Sequence, residues 1–114
     1  MAKFFLTRTA TLHLYKIEEY SLQRWGADRT KRYMEDLFCG FARIAKNPEI
    51  GNLRKDRSYP FFMAPVEKHF AIYAVTPYGV VIAAILYGRQ NIEAIISKHG
   101  AVLTDEINKL RKTN

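Results

Sequence analysis

Val80-Val81-Ile82-Ala83-Ala84-Ile85-Leu86-Tyr87 is an unbroken run of eight apolar or aromatic residues, held between Gly79 and the tip Gly88-Arg89-Gln90. Bounded by glycines, such a run reads as a strand covered on at least one face, and the tip beyond it is displayed at a sheet end. Immediately before it, His69 to Thr76 reads as a second strand. Thr76-Pro77-Tyr78-Gly79 fits a type I turn between the two, with proline at its second position and a glycine able to take the left-handed conformation of a bulge. That turn pairs Thr76 with Val80 and fixes the expected register. Phe70, Ile72 and Ala74 then share a purely apolar face with Ile82, Ala84 and Leu86, which is expected to meet the helices. The opposite face carries His69, Ala71, Tyr73 and Val75 with Val81, Ala83, Ile85 and Tyr87. There His69 lies across from Tyr87 and Tyr73 beside Ala83, a half-polar face expected to be partly open to a partner.

Toward the N-terminus, Lys3 to Thr7 is short and β-tolerant and reads as a first strand, with Thr7 or Thr9 able to cap the helix after it. Ala10, Leu14, Ile17, Ser21 and Trp25 form a narrow helical stripe, with His13 at its edge, and Gly26 stops that helix. Asp28 is a suitable N-cap for a second helix, whose stripe is Tyr33, Leu37, Phe41 and Ile44, widened by Met34, Phe38 and Ala45. Asn47-Pro48 ends it, because proline disfavours a helical residue before it. So short a connection makes the helices an antiparallel hairpin. Glu49 to Ser58 is a polar link, and Tyr59-Pro60-Phe61-Phe62-Met63 reads as an edge strand because of its proline. After Arg89-Gln90, a short helix from Ile92 to Lys98 is expected to end at His99-Gly100. A second helical piece starts near Thr104, with acids first and bases last. The fold class is therefore α+β: an N-terminal strand, an antiparallel helical hairpin, a three-stranded antiparallel meander and a C-terminal helical tail.

Composition bounds the function without choosing it. The chain of 114 residues is one domain with a lone cysteine and a net charge of +7. A domain of this size hides about two thirds of its unfolded surface, so no disulfide framework is needed, and Cys39 reads as a surface thiol. The charge predicts attraction to a polyanion or an acidic protein. Its densest group, Arg54-Lys55-Asp56-Arg57, makes Arg54 and Arg57 candidate contacts. No apolar stretch approaches the roughly 18 residues of a membrane span, so a cytoplasmic protein is expected. Glycine motifs for phosphates, paired cysteines and His-x-x-x-His helices are all missing, so no cofactor and no metal site are expected. His69, Tyr73, Tyr87, Arg89 and Gln90 remain as the site candidates, since an imidazole or phenol can move protons and a guanidinium can hold a phosphate or carboxylate at two points.

The ordered pattern Leu6-Thr7, Ala10, His13, Leu14, Ile17, Tyr20, Arg24-Trp25-Gly26, Asn47-Pro48-Glu49-Ile50-Gly51, His69, Tyr73 and Ile85-Leu86-Tyr87 resembles the ParE branch of the bacterial ParE/RelE toxins. The resemblance covers about residues 4 to 92. His13, where an acid is usual, and Pro60, where a base is common, depart from the pattern. It implies a RelE/ParE-like toxin domain over residues 1–92, with residues 93–114 a helical extension of the same domain. It implies the toxin of a bacterial type II toxin-antitoxin module, neutralised by a ParD-like antitoxin in a hetero-oligomer, and poisoning DNA gyrase rather than acting as an enzyme. The alternative is a RelE-like, ribosome-dependent messenger RNA endoribonuclease. Such nucleases tend to carry a basic cluster just beyond the last strand, and here Ile92, Ala94, Ile95 and Ile96 occupy that stretch, which favours the ParE branch.

Overall fold

The computed structural model describes residues 3–53, 61–88 and 91–113. The elements are β1 (Phe4–Leu6), α1 (Arg8–Trp25), α2 (Ala27–Lys46), a single 3-10 turn (Pro48–Ile50), β2 (Asn52–Leu53), β3 (Phe62–Val66), β4 (His69–Thr76), β5 (Gly79–Tyr87) and α3 (Ile92–Thr113). They form one five-stranded sheet in the order β1-β5-β4-β3-β2. β1 runs parallel to β5, and every other pairing is antiparallel. The expected α+β architecture is present, with the short β2 added at the far edge. Pro65 lies in β3 beyond the two residues that pair with β2, so its missing N–H leaves no ladder bond unmade.

Thr7 turns β1 into α1. Its backbone N–H continues the pairing to Ile82 O (3.1 Å), while its side chain accepts from Ala10 N (3.1 Å) as the N-cap. Gly26 alone separates the two long helices, at φ 84°, a left-handed conformation that a side chain would resist. It also stands in the N-cap position of α2, so Asp28 lies in the first turn of that helix instead of capping it.

The register departs from expectation at one residue, and the faces change with it. His69 pairs with Tyr87 and Ile72 with Ala84 as expected, but Tyr73 then pairs with Ile82 and Thr76 with Gly79. Ala83 is thus an extra residue on β5. Because side chains alternate along a strand, this bulge exchanges inside and outside for everything before it. Val80 and Ile82 face the helical hairpin with Ala71, Tyr73 and Ile85, under Leu14, Leu37, Phe41 and Ile44. Ile72, Ala74, Val81, Ala83, Ala84 and Leu86 face the other way and are covered by Ile96, Leu103 and Ile107 of α3.

Two expectations are therefore corrected. The face carrying Ile72, Ala84 and Leu86 meets the C-terminal helix, not the hairpin, and the face carrying Tyr73 is covered by the hairpin, not open. Each helical layer needs an apolar sheet face, so β5 is buried from Val80 through Leu86. The tail is also a single helix rather than two pieces. Gly100 costs about 1 kcal/mol relative to alanine in a helix interior, but Ile96, Leu103 and Ile107 recur on one helical face and hold both halves against the same sheet. Glu106 fastens this helix to the start of α1, accepting from Thr9 N (3.1 Å) and from the Thr9 hydroxyl.

Candidate functional site

β1 stops at Leu6, so the backbone of β5 beyond Ile82 has no strand on that side, and its polar groups need other partners. Side chains of the first helix and its cap supply them. The Thr7 hydroxyl donates to Ala83 O (3.0 Å), and Ile85 N–H donates to His13 Nδ1 (3.1 Å). His13 is therefore a neutral ring that substitutes for a missing strand. Burial, Lys16 and His99 hold its pKa below the usual imidazole value, against an opposing pull from Glu106.

Between α1 and the end of β4 and β5 this substitution leaves a groove of about 770 Å³. Its α1 wall carries His13, Lys16, Tyr20 and Arg24, recurring at three- and four-residue intervals on one helical face. The other side carries Tyr33, Lys68, His69 and Tyr87. Arg29 and Trp25 close the end at the hairpin turn, where Gly26 brings them together: the Arg29 guanidinium lies 4.7 Å from the indole centroid and Lys68 Nζ 5.6 Å. At the centre, the Tyr33 hydroxyl is 2.8 Å from His69 Nδ1 and accepts from Lys68 N–H (3.2 Å). That leaves the phenol proton for Nδ1 and places the imidazole proton on Nε2. Burial lowers the His69 pKa and raises that of Tyr33, so both are neutral near pH 7. Tyr87 flanks His69 with ring centroids 5.5 Å apart.

Among the described residues no carboxylate lines this groove, and none of Lys16, Arg24, Arg29 and Lys68 forms a salt bridge. The site is thus an anion-attracting cleft with a neutral His-Tyr pair at its floor. A shallower depression of about 540 Å³ lies between α1 and α2, lined by Leu22, Met34 and Phe38 among others. Among the described residues no group of three His, Cys, Asp or Glu is arranged to hold a metal, and Cys39 is an exposed free thiol.

Of the residues singled out from sequence, His69 and Tyr87 come together as expected. Tyr73 does not join them: it is fully buried, with its hydroxyl donating to Pro48 O (2.6 Å) and accepting from Gly51 N (3.1 Å). It is a core residue that secures the 3-10 turn. Arg54, Arg57, Arg89 and Gln90 lie outside the described residues. From sequence, Lys16, Arg29 and Lys68 carried no role, Tyr20 and Arg24 entered only through the family pattern, and Trp25 and Tyr33 read as parts of helical stripes. The i, i+4, i+8 spacing of Lys16, Tyr20 and Arg24 was the available signal.

The model of the family described as ParE toxin of type II toxin-antitoxin system, parDE, matches residues 4–92. The chain belongs to the ParE toxin family. Two curated relatives named Toxin ParE1, from Mycobacterium tuberculosis strains CDC 1551 / Oshkosh and H37Rv, are each 26% identical over 93 residues, covering 81% of this chain and 95% of theirs. A solved structure of a chromosomal ParDE system from P. aeruginosa superposes with a TM-score of 0.64 at 18% identity, covering 76% of this chain and 96% of its own. It shares the fold. This ParE-type toxin carries most of α3 beyond the matched region, and among its described residues no helix is long and apolar enough to cross a membrane.

Proposed function

We propose that this ParE-type toxin acts on DNA gyrase and that the cationic, aromatic groove at the end of β5 is its working surface. The observation that carries the reading is the set of four cations, without a salt bridge among the described residues, converging where the final strand delivers Tyr87 and, next in sequence, Arg89 and Gln90. A charged residue soon after a strand in sequence is seldom needed for folding and is free to serve binding. Purified protein should inhibit supercoiling by gyrase and leave messenger RNA on translating ribosomes intact. Arg89→Ala should weaken growth inhibition strongly, since losing a charged contact at a buried interface costs roughly 2 to 5 kcal/mol. Full toxicity of that variant would remove Arg89 from the surface.

The net charge of +7 suits an antitoxin with an acidic, amphipathic segment that folds on binding. Both sheet faces being occupied, such a partner uses the outer helix surfaces, where Leu22, Met34 and Phe38 line the depression between α1 and α2. Co-expression of the neighbouring open reading frame should rescue growth and raise the melting temperature. Unchanged growth and stability would reject it as the partner.

A ribosome-dependent ribonuclease is the second reading, and the neutral His69 beside Tyr33 is what favours it, because an imidazole with a free nitrogen can move a proton to or from a ribose hydroxyl. It stands second because the stretch beyond β5 is committed to packing: Ile96 is 2% exposed, and Ile92 and Ile95 lie against the same cluster. Codon-position cleavage of ribosome-bound RNA, abolished by His69→Gln with gyrase unimpaired, would reverse the order.

A further inference from the structure

We infer that the groove is a receptor for a single-stranded nucleic-acid segment, its cations holding phosphates and its rim tyrosines stacking on bases. The inference deepens the reading of the groove as the working surface and rests on it. It says what the groove touches: exposed strand within a target complex rather than protein alone.

Three features select this ligand. Arg29 and Lys68 share one indole, at 4.7 and 5.6 Å from the Trp25 centroid, so two like charges are held near each other with no carboxylate among the described lining residues. Glu67, next to Lys68, acts on Tyr33, and Glu106 acts on His13, but neither lines the groove. Such an arrangement is relieved by an anion that both cations can reach, and Lys16 and Arg24 continue the positive track along α1. Second, Tyr20 on the rim is 59% exposed and Tyr87 42%. Aromatic rings presented beside a cationic track are the common means of holding a strand whose base faces are free, whereas a duplex keeps those faces stacked. Third, the lining is phenol, indole and imidazole with little aliphatic surface: Ile85 is 3% exposed and Ile17 only partly exposed. An amphipathic peptide helix wants a run of aliphatic pockets, which this groove does not offer.

Trp25 is the single tryptophan of the chain, so its fluorescence reports groove occupancy directly. The full-length protein should be titrated with a thymidine 8-mer, a uridine 8-mer and a glutamate 8-mer, and the salt dependence of each measured. Quenching by an oligonucleotide is expected. If all four cations meet phosphates, a log-log salt slope near −2.8 follows, or about 50-fold weaker binding between 50 and 200 mM salt. Arg29→Ala and Lys68→Ala should each reduce the slope by about 0.7. Tyr20→Ala should keep the slope and weaken binding by roughly 5- to 150-fold. Lys31→Ala, on the far side of α2, should change neither.

A preference between the thymidine and uridine oligomers tells DNA from RNA, and either supports the inference. Equal binding of the glutamate oligomer with no effect of Tyr20→Ala overturns it in favour of an acidic peptide, and no quenching by any oligonucleotide overturns it outright. Gyrase inhibition measured alongside keeps the two ideas separate. Inhibition without oligonucleotide binding sinks the ligand and spares the target, while binding without inhibition does the reverse.

Discussion

The two faces of the sheet are equally apolar and differently secured. On one, α1 and α2 press Leu37 and Phe41 to complete burial, and polar ties run inward from the same layer: Thr7 to the bulge carbonyl, His13 to Ile85 N–H, Tyr73 to the 3-10 turn. On the other, one helix lies across Phe61, Ile72, Val81 and Leu86, with Glu106 tying it to Thr9. The difference teaches where this fold keeps its stability and where it can exchange cover. The hairpin face is fixed by packing and directional bonds together, and the groove forms along its margin. The α3 face depends mainly on burial, which is non-directional.

Truncating each face should expose the contrast. Phe41→Ala, at a site closed on all sides, should cost about 3 to 5 kcal/mol in chemical denaturation. Leu103→Ala should fall at or below the lower end of the roughly 2 to 5 kcal/mol range for leucine, because a single helix can shift to fill the space. Equal losses would erase the distinction. Tyr73→Phe comes next, at about 1 to 3 kcal/mol, since Gly51 N–H and Pro48 O both lose a partner. Glu106→Ala should cost about 0.5 to 2 kcal/mol, the range of a lost helix cap. Faster hydrogen exchange confined to α3 would sharpen the comparison, and uniform acceleration would blur it.

Acid should act on the hairpin face. His13 and His69 both have pKa values held below 6.5, chiefly by burial. An imidazole with a depressed folded-state pKa takes up protons more readily when unfolded. Its contribution is therefore fully present above the unfolded value near 6.5 and is lost as pH falls through the folded value. Protonating His13 also costs the acceptor of Ile85 N–H. Stability should fall as pH drops below about 6.5 in the wild type and less steeply in a His13→Asn variant, read as denaturation midpoints. Parallel curves would mean that His13 is not the responsible group.

The ordered elements were legible in the sequence because each is written locally. Gly26 stops a helix by its left-handed backbone, Asn47-Pro48 stops another, and the His69 to Tyr87 pairing comes from strands of matched length around a tight turn. The bulge was not legible. Ala83 sits among Ile82, Ala84 and Ile85, and nothing in that row marks which residue goes unpaired, yet that one slip turned Val80 and Ile82 to the face beneath the hairpin, where they are buried with Tyr73. Continuity through Gly100 depended on a sheet face already present to hold both halves of α3. The groove was legible in part: His69 and Tyr87 share a strand pair, but Arg29 and Lys68 meet only because the hairpin turn arrives beside the β3–β4 turn.

β1 leaves the ribosome before the other described elements and pairs with the last strand, β5, while the hydroxyl of Thr7 just beyond it reaches Ala83 O, 76 residues away. At about 5 to 20 residues per second, that interval is roughly 4 to 15 s of synthesis. Through it, residues 3 to 7 have no strand to join, while the helical hairpin they introduce can already form from neighbouring contacts. Nascent chains stalled before Gly79 should present this segment to protease, and chains extended well past Leu86 should protect it. Because both the sheet and the groove beside it wait on β5, the finished surface arises late and in one step, giving a cell that makes this protein an interval in which the chain exists and its working surface does not.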